Sequence, residues 1–419
     1  MGIYRTEKEA RAARTALRAK LQKNEGYTAL RTVAELPNVS YVRAPTGNME
    51  LDIDLGGGFP AGGLSIVTGP WGVGKTRLIN KLCKQHQKLH GSQASILGTY
   101  TEFPPDHMHM RRSGLQVAVP DETIDQLQAA RKAHKMPQLT KAEIRELKTQ
   151  VGEFDVLVGR KGPDILNSLM EAYESKVYGI IFVDSLTMLQ SKEELARKDL
   201  NDALKRAAHA SMITEWLHQF HAAQVTGINN YTVTIATSQV RSKDKSKIPP
   251  ALQKYVKDWD LAGAEALKHA NLITLVLSDG QKIKKKKKGK EFDPLGDDAE
   301  GEGGDSASAE QLGKYMNWEI RKGKGGTHDG ICGKYPYLYD SPTDEDVDSV
   351  ILAASRYGVL RVEEDNSLAI YHGATGELSN MRFPDRQMLY TAMVSDYELE
   401  LRIRYEVLAA TRTTCVYRL

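Results

Sequence analysis

The sequence predicts an α/β fold: a mostly parallel, twisted sheet flanked by helices, with an N-terminal helix and a small C-terminal α+β domain. Three observations lead there. From Met49 onward, short β-branched runs alternate with helix-periodic segments. One run, 64–68, opens into Gly69-Pro70-Trp71-Gly72-Val73-Gly74-Lys75-Thr76, which matches G-x-x-x-x-G-K-[ST] at every fixed position. A second apolar run, Gly179-Ile180-Ile181-Phe182-Val183, ends on a carboxylate, Asp184.

Composition bounds the rest. The 419 residues suffice for a full core and a second small domain. With 57 Lys and Arg against 54 Asp and Glu, the formal charge is +3, so any basic surface is local. Cys83, Cys332 and Cys415 lack metal-ligand spacing, as expected of a reducing, cytoplasmic protein. No run reaches the length of a membrane span, and the start has no signal-peptide core. Gly2 and Thr6 fit a loose myristoylation pattern that nothing else supports.

In chain order, residues 6–23 place Ala10, Ala13, Leu17 and Leu21 at helical spacing among Arg and Lys, a basic amphipathic helix. Strand 64–68 and the loop are followed by a helix over 76–90, with Leu78, Ile79 and Leu82 on one face. Strands are expected at 95–99, 179–183, 231–236, 272–277 and 315–321, with helices at 163–176 and 196–224 between them. Two stretches read as insertions. Residues 121–152 are polar and helix-prone, divided by Pro137; residues 284–308 pass from Lys284-Lys285-Lys286-Lys287-Lys288 into an acidic, Gly- and Ser-rich tract too polar to fold alone. A lysine run of this kind is ordinarily a solvated tail. Three units result: a basic helix and linker over 1–45, the core over 46–334, and an α+β domain over 335–419.

The loop carries the first chemistry. Its glycines let backbone N–H groups turn around phosphate oxygens, Lys75 reaches the terminal phosphates, and the Thr76 hydroxyl is a Mg²⁺ ligand. Gly69 through Thr76, with Arg77 next to them, are therefore the nucleotide-binding set, at a helix N-terminus that favours anions. Asp184, at the end of a buried strand, is the second expected Mg²⁺ residue; a strand-ending turn Asp is the plain alternative. Glu102, just past strand 95–99, is the best-placed carboxylate to activate water, a surface acid being its alternative. Gln239, in Thr237-Ser238-Gln239-Val240-Arg241, can hydrogen-bond a γ-phosphate and relay its loss to the segment that follows. That segment holds Lys243, Lys245, Lys247, Ile248 and Pro249-Pro250; with Arg241, its cations suit phosphates, and Ile248 could wedge between bases. A plain flexible loop fits it as well.

Together these blocks resemble the RecA family of homologous-recombination ATPases, the phage UvsX type included, from about Thr46 to Leu408. Met49 through Gly63 is similar to the family's lead into the phosphate loop, Val183-Asp184-Ser185 to its second nucleotide-binding strand end, and Ser238-Gln239-Val240-Arg241 to the opening of its second DNA loop. The resemblance implies ATP and Mg²⁺ as cofactors, Glu102 as catalytic glutamate and Asp106 as an adenine contact. It makes Lys268, in Gly263-Ala264-Glu265-Ala266-Leu267-Lys268, a contact to ATP across a subunit interface. Arg321-Lys322-Gly323-Lys324 echoes the family's Lys-x-Lys strand ending. Residues 190–200, with Lys192, Arg197 and Lys198, would be a first DNA loop, and the N-terminal helix would dock on a neighbouring subunit. Val350 through Val407 resembles the bacterial C-terminal domain, a secondary duplex-DNA site. The implied activity is a DNA-dependent ATPase that filaments on single-stranded DNA and promotes strand exchange. A ring-forming helicase-type ATPase and a non-hydrolysing assembly or mediator protein are the alternatives. The chain departs from the bacterial pattern in Trp71-Gly72-Val73, in His109 where a stacking tyrosine is expected, in both insertions, and in reading Val416-Tyr417-Arg418-Leu419 where the resemblance implies an acidic tail.

Overall fold

The computed structural model describes residues 42–159, 161–196, 205–242, 259–261, 266–284, 311–324, 326–339, 345–413 and 416–417, with isolated helical residues 8, 11, 12, 15, 16 and 19. After β1 (Val42–Ala44), Asn48 caps α1 (Met49–Asp54) by accepting the Leu51 N–H at 3.0 Å. Then come β2 (Phe59–Pro60), β3 (Gly63–Gly69), α2 (Lys75–His90), β4 (Ser95–Tyr100), α3 (His107–Arg112), α4 (Asp121–Ala133), α5 (Lys141–Leu147) and β5 (Glu153–Val156). The middle of the chain supplies α6 (Gly162–Ser175), β6 (Ile180–Asp184), α7 (Lys192–Ala196), α8 (Lys205–Thr226), β7 (Val233–Ser242), β8 (Trp259–Leu261) and α9 (Ala266–Ala270). There follow β9 (Ile273–Lys284), β10 (Gln311–Lys322), β11 (Cys332–Leu338), α10 (Glu345–Arg356), β12 (Leu360–Val362), β13 (Leu368–Tyr371), β14 (Leu378–Phe383), α11 (Arg386–Ser395), α12 (Tyr397–Ala410) and β15 (Val416–Tyr417).

The large sheet runs β11-β10-β9-β3-β7-β6-β4-β5, with β8 on β7. Its β9-to-β5 strands are parallel; β10 and β11 add an antiparallel margin. Both faces are covered, which is why its central strands read as continuous apolar runs. Leu78, Ile79 and Leu82 of α2 pack with Val67, Ile96, Phe182 and Ile235 on one face. Leu166 and Leu169 of α6 and Ile213, Leu217 and Phe220 of α8 cover Ile66, Ile181 and Val183 on the other. The expected α/β class is therefore the observed one.

Differences have local causes. β7 begins at Val233, not 231, because the Asn229 side chain accepts the Tyr231 and Thr232 N–H groups and holds them in a turn. β5 is absent from the expected strands: Glu153-Phe154-Asp155-Val156 is short and mostly exposed, and its backbone pairing with β4 makes it a strand. β11 crosses the boundary expected at Tyr335, which lies within the large sheet and packs on Trp318 at 5.7 Å between ring centroids. Residues 121–152 hold α4 and α5 on either side of Pro137, the second with a Thr140–Glu143 capping box. Most of 1–45 and of 284–308 lies outside the described residues.

The C-terminal helices and the β12-β13-β14 sheet enclose their own core, including Val350, Ile351, Leu389, Ile403 and Val407. Buried charges tie this unit to the rest. Arg404, fully buried on α12, reaches Glu400 at 2.9 Å and Asp52 of α1 at 3.3 Å. Burial pushes the Asp52 carboxyl up to about 7, with Arg404 and the Thr46 N–H pulling against it. Asp346, equally buried on α10, meets Lys81 and Lys84 of α2, each at 2.9 Å. Burial would raise its pKa, but Lys81, Lys84 and Lys88 together hold it far below the ordinary value of 3.8.

Asp346→Asn removes the counter-charge of two nearly buried lysines, so it should cost about 3–5 kcal/mol in denaturant unfolding at neutral pH. Because the folded pKa is depressed, the native contribution is complete above the unfolded value and fades as pH falls below it. The gap between wild type and Asp346→Asn should therefore narrow on acidification below about pH 4.

Candidate phosphate-binding site

Parallel pairing brings residues of four strands to one edge of the sheet, with β7 running on past Gln239 to Ser242. Gly69 of β3 lies opposite Gln239 of β7, and Tyr100 of β4 opposite Asp184 of β6. Loops leaving those ends converge, as expected at the carboxyl edge of an open α/β sheet. The loop from β3 turns into α2 through Gly74, whose φ of +92° disfavours other residues; a Cβ there would meet the Met316 sulfur at 2.9 Å. Gly74 offers no side-chain cap, so the first N–H groups of α2 face the loop concavity with the helix dipole behind them.

Lys75, largely buried, donates to the Gly69 carbonyl at 3.1 Å and the Pro70 carbonyl at 2.8 Å. Burial lowers its pKa, an effect that Glu102 and Asp184 oppose. A polyanion in the loop would stabilise the ammonium further.

Asp184 accepts two hydroxyl bonds, from Thr76 at 2.6 Å and from Thr237 at 2.5 Å. Burial nevertheless raises its pKa, the two hydroxyls pulling the other way. The Asp184–Ser185 peptide bond is cis. Glu102 accepts from the Ser185 hydroxyl at 2.7 Å and from the Gln239 amide at 3.2 Å, both on Oε1. Thr101 joins the two strand ends: its hydroxyl donates to the Ser185 carbonyl at 2.6 Å and accepts the Ser185 N–H at 2.8 Å. The result is a loop of N–H donors, a buried ammonium, a carboxylate–hydroxyl pair and a carboxylate–amide pair.

Mg²⁺ fits this donor set. Asp184 and the Thr76 hydroxyl are hard oxygen ligands, and burial leaves Asp184 in need of positive charge. Among the described residues no group of three or more His, Cys, Asp or Glu could hold a metal, so phosphate and water oxygens would complete the shell.

The expected residues divide into groups. Lys75, Thr76, Asp184, Glu102 and Gln239 come together. Val73 is buried in the core, and Trp71 is 79% exposed. Arg77 turns away from the loop to the Leu338 carbonyl, Glu345 and the Tyr337 ring, whose centroid is 4.1 Å off. Asp106 caps α3 by accepting the His109 N–H at 3.0 Å, and both side chains are exposed. Lys192 is exposed at the start of α7. The backbones of Arg241 and Lys268 belong to β7 and α9; their side chains, and all of Arg197, Lys198, Lys243, Lys245, Lys247 and Ile248, lie outside the described residues. Sequence reasoning missed Ser185 and Thr237 as partners of Glu102 and Asp184, although both sit inside the quoted strand-end motifs. It also missed Lys314, whose ammonium donates to the Gly72 carbonyl at 3.0 Å and for which no sequence pattern exists.

Burial raises the Asp184 pKa in the fold, so ionising this carboxylate costs more there than in the unfolded chain, and stability falls as pH rises from the unfolded toward the folded value. Asp184→Asn should therefore melt at a higher temperature than wild type at neutral pH without nucleotide, and differential scanning calorimetry checks this. An equal or lower melting temperature would remove the argument that this carboxylate is held at a cost.

No protein-family model matches the chain. It is 31% identical over 153 residues to Protein RecA of Thermus thermophilus, a match covering 36% of this chain and 41% of that protein. Protein RecA of Rickettsia conorii is 27% identical over 239 residues, 57% of each chain. Protein RecA of Solidesulfovibrio magneticus is 31% identical over 153 residues, 36% of this chain and 39% of the relative. The chain thus spans well under two thirds of the length of the relatives it matches. No described helix is long and apolar enough to cross a membrane. The sequence similarity and the mostly parallel, helix-flanked sheet together make this a chain with a RecA-like α/β core and a distant relation to RecA proteins.

Proposed function

We propose that this protein is a DNA-dependent ATPase that assembles as an ATP-bound helical filament on single-stranded DNA and promotes homologous pairing and strand exchange. One observation carries the reading: the Gln239 amide is hydrogen-bonded to the Glu102 carboxylate at 3.2 Å. Gln239 stands on β7, and the chain beyond that strand holds Lys243, Lys245, Lys247 and Ile248. A side chain that touches the water-activating group thus precedes a sequence whose cations and Ile248 suit a DNA strand.

In this reading the N–H groups of the loop and the Lys75 ammonium would hold the phosphates, and Thr76 and Asp184 would hold the metal. Mg²⁺, when bound, supplies positive charge to the phosphate oxygens. Glu102 orients a water and takes its proton as the water oxygen bonds to the γ-phosphorus and the bond to the β,γ-bridging oxygen breaks. Gln239 exchanges its bond to Glu102 for one to the γ-phosphate. DNA and ATP then favour the same state, and each raises affinity for the other. Asp106 as an adenine contact, Lys268 as a contact across the subunit interface, and the C-terminal unit as a duplex-DNA site complete the proposal by analogy with RecA. Lys192, Arg197 and Lys198 would form the first DNA loop.

ATP hydrolysis measured with and without single-stranded DNA tests the proposal, with Lys75→Ala as the blank. DNA should stimulate wild type by about tenfold or more, less so as salt rises, and the stimulation should vanish in Lys75→Ala. Glu102→Gln should keep nucleotide binding and lose about 10²–10⁴-fold in kcat. Equal hydrolysis with and without DNA would reject the coupling through Gln239.

A further inference from the structure

The antiparallel margin β9-β10-β11 presses one face against the phosphate-binding loop. Lys314 pairs with Tyr337 of β11 and with Lys282 of β9; Met316 pairs with Tyr335 and with Asp279. From Lys314 to Met316 is two steps on β10, but from Lys282 to Asp279 is three on β9, so β9 carries a one-residue bulge. Tyr315 packs closely into it: a Cβ on Gly280 would meet the Tyr315 carbonyl oxygen at 2.9 Å. In an unbroken register Asp279 would oppose Asn317 and point away from the Lys314 face. The bulge instead puts it opposite Met316, on that face.

Two contacts with the loop and one with the helix after it follow. The Lys314 ammonium lies 2.5 Å from Asp279 Oδ1 and 3.0 Å from the Gly72 carbonyl oxygen. Met316 fills the space beneath Gly74. The Tyr337 ring carries the Arg77 guanidinium at 4.1 Å and lies 5.9 Å from the Lys314 ammonium. At Gly72 itself φ is +73° and nothing stands within 4 Å of the place a Cβ would take. The buried Val73 side chain anchors one side of the Gly72–Val73 peptide, and the lysine bond holds its carbonyl.

We propose that Lys314, held in place by Asp279, is a positioning residue for nucleotide binding. The Gly72 carbonyl and the Val73 N–H belong to one planar trans peptide and point in opposite directions. A cation that holds the carbonyl outward therefore aims the N–H inward, where the loop receives phosphate oxygens. The role is preorganisation: without it, binding must itself order the peptide and loses that free energy from affinity. This inference rests on the reading of residues 69–76 as a phosphate-binding loop.

The test is calorimetric titration of Mg·ADP into wild type, Lys314→Met, Lys314→Arg, Asp279→Asn and Lys75→Ala, with amide hydrogen exchange over residues 70–76 of each nucleotide-free protein. Lys314→Met should weaken binding about tenfold and speed exchange in the loop, with its melting temperature close to wild type. In steady-state hydrolysis its KM should rise while kcat stays within about twofold. Asp279→Asn should lose about threefold in affinity, and Lys314→Arg should recover most of what Lys314→Met loses. If Lys314→Met does not fold, Lys314→Gln, which keeps a donor but loses the charge that Asp279 holds, is judged by the same criteria. Wild-type affinity and loop exchange in the Lys314 variant would overturn the inference, as would losses that track melting temperature alone. Absence of binding by wild type, equal to Lys75→Ala, would instead overturn the phosphate-loop reading beneath it.

Discussion

Because β3 is buried along its whole length and hydrogen-bonded in parallel on both sides, the loop that leaves it has a fixed origin. Every site distance depends on that constraint. Gly69 lies opposite Gln239 because β3 and β7 share one register, and Asp184 lies opposite Tyr100, two residues before Glu102, because β6 and β4 share another. A one-residue slip would turn every buried strand residue to the other face, where it would meet a different set of packed side chains, those of α2 on one side and of α6 and α8 on the other. Hydrophobic burial, non-directional in itself, thereby sets the positions of groups that must be placed to a fraction of an ångström.

The helix that follows the loop makes a second set of demands. One face of α2 packs Leu78, Ile79 and Leu82 against the sheet. Another directs Arg77, Lys81, Lys84, Gln85 and Lys88 to Glu345, Asp346 and Glu400 of the C-terminal unit. These charges are buried or nearly so, and a buried ion left alone is far more costly than one left in water. The C-terminal unit is thus held by charge pairs whose loss on either side strands a partner. Its attachment is specific in orientation, since each lysine and arginine has an acid to match it.

The site itself is arranged against its own stability. Asp184 is ionised with difficulty, Lys75 is desolvated, and both are held close to Glu102. Such clusters of perturbed groups gather where charge is to be received. Nucleotide phosphates and a divalent cation have the charges that would relieve the strain, the first at Lys75 and the second at Asp184. The surrounding hydroxyls of Thr76, Thr237 and Ser185 orient the carboxylates without adding charge.

The phosphate loop, its flanking strand and helix, the buried strand ending in Asp184, and the α/β class were legible in the chain because each is local. A period of hydrophobicity or a glycine at a fixed offset states its own conformation within a few residues. Glu102 was legible as a residue just past a strand end, whereas Gln239, expected at a strand end, lies inside β7, which runs on to Ser242; their contact was not legible, since it depends on the order β7-β6-β4 in the sheet. Strand β5 carried too little apolar pattern to be seen, and β11 crossed an expected boundary because its partner β10, not its composition, makes it a strand. Lys314 marks the far limit of sequence reading. It stands far from the loop along the chain, and it reaches Gly72 alongside Asp279 only because a single bulge in β9 turns that aspartate to its face. The sequence by itself determined the strand, glycine-rich loop and helix that carry the phosphate-loop pattern; tertiary structure decided which distant groups touch them, because register and strand order are set by the packing of the whole sheet.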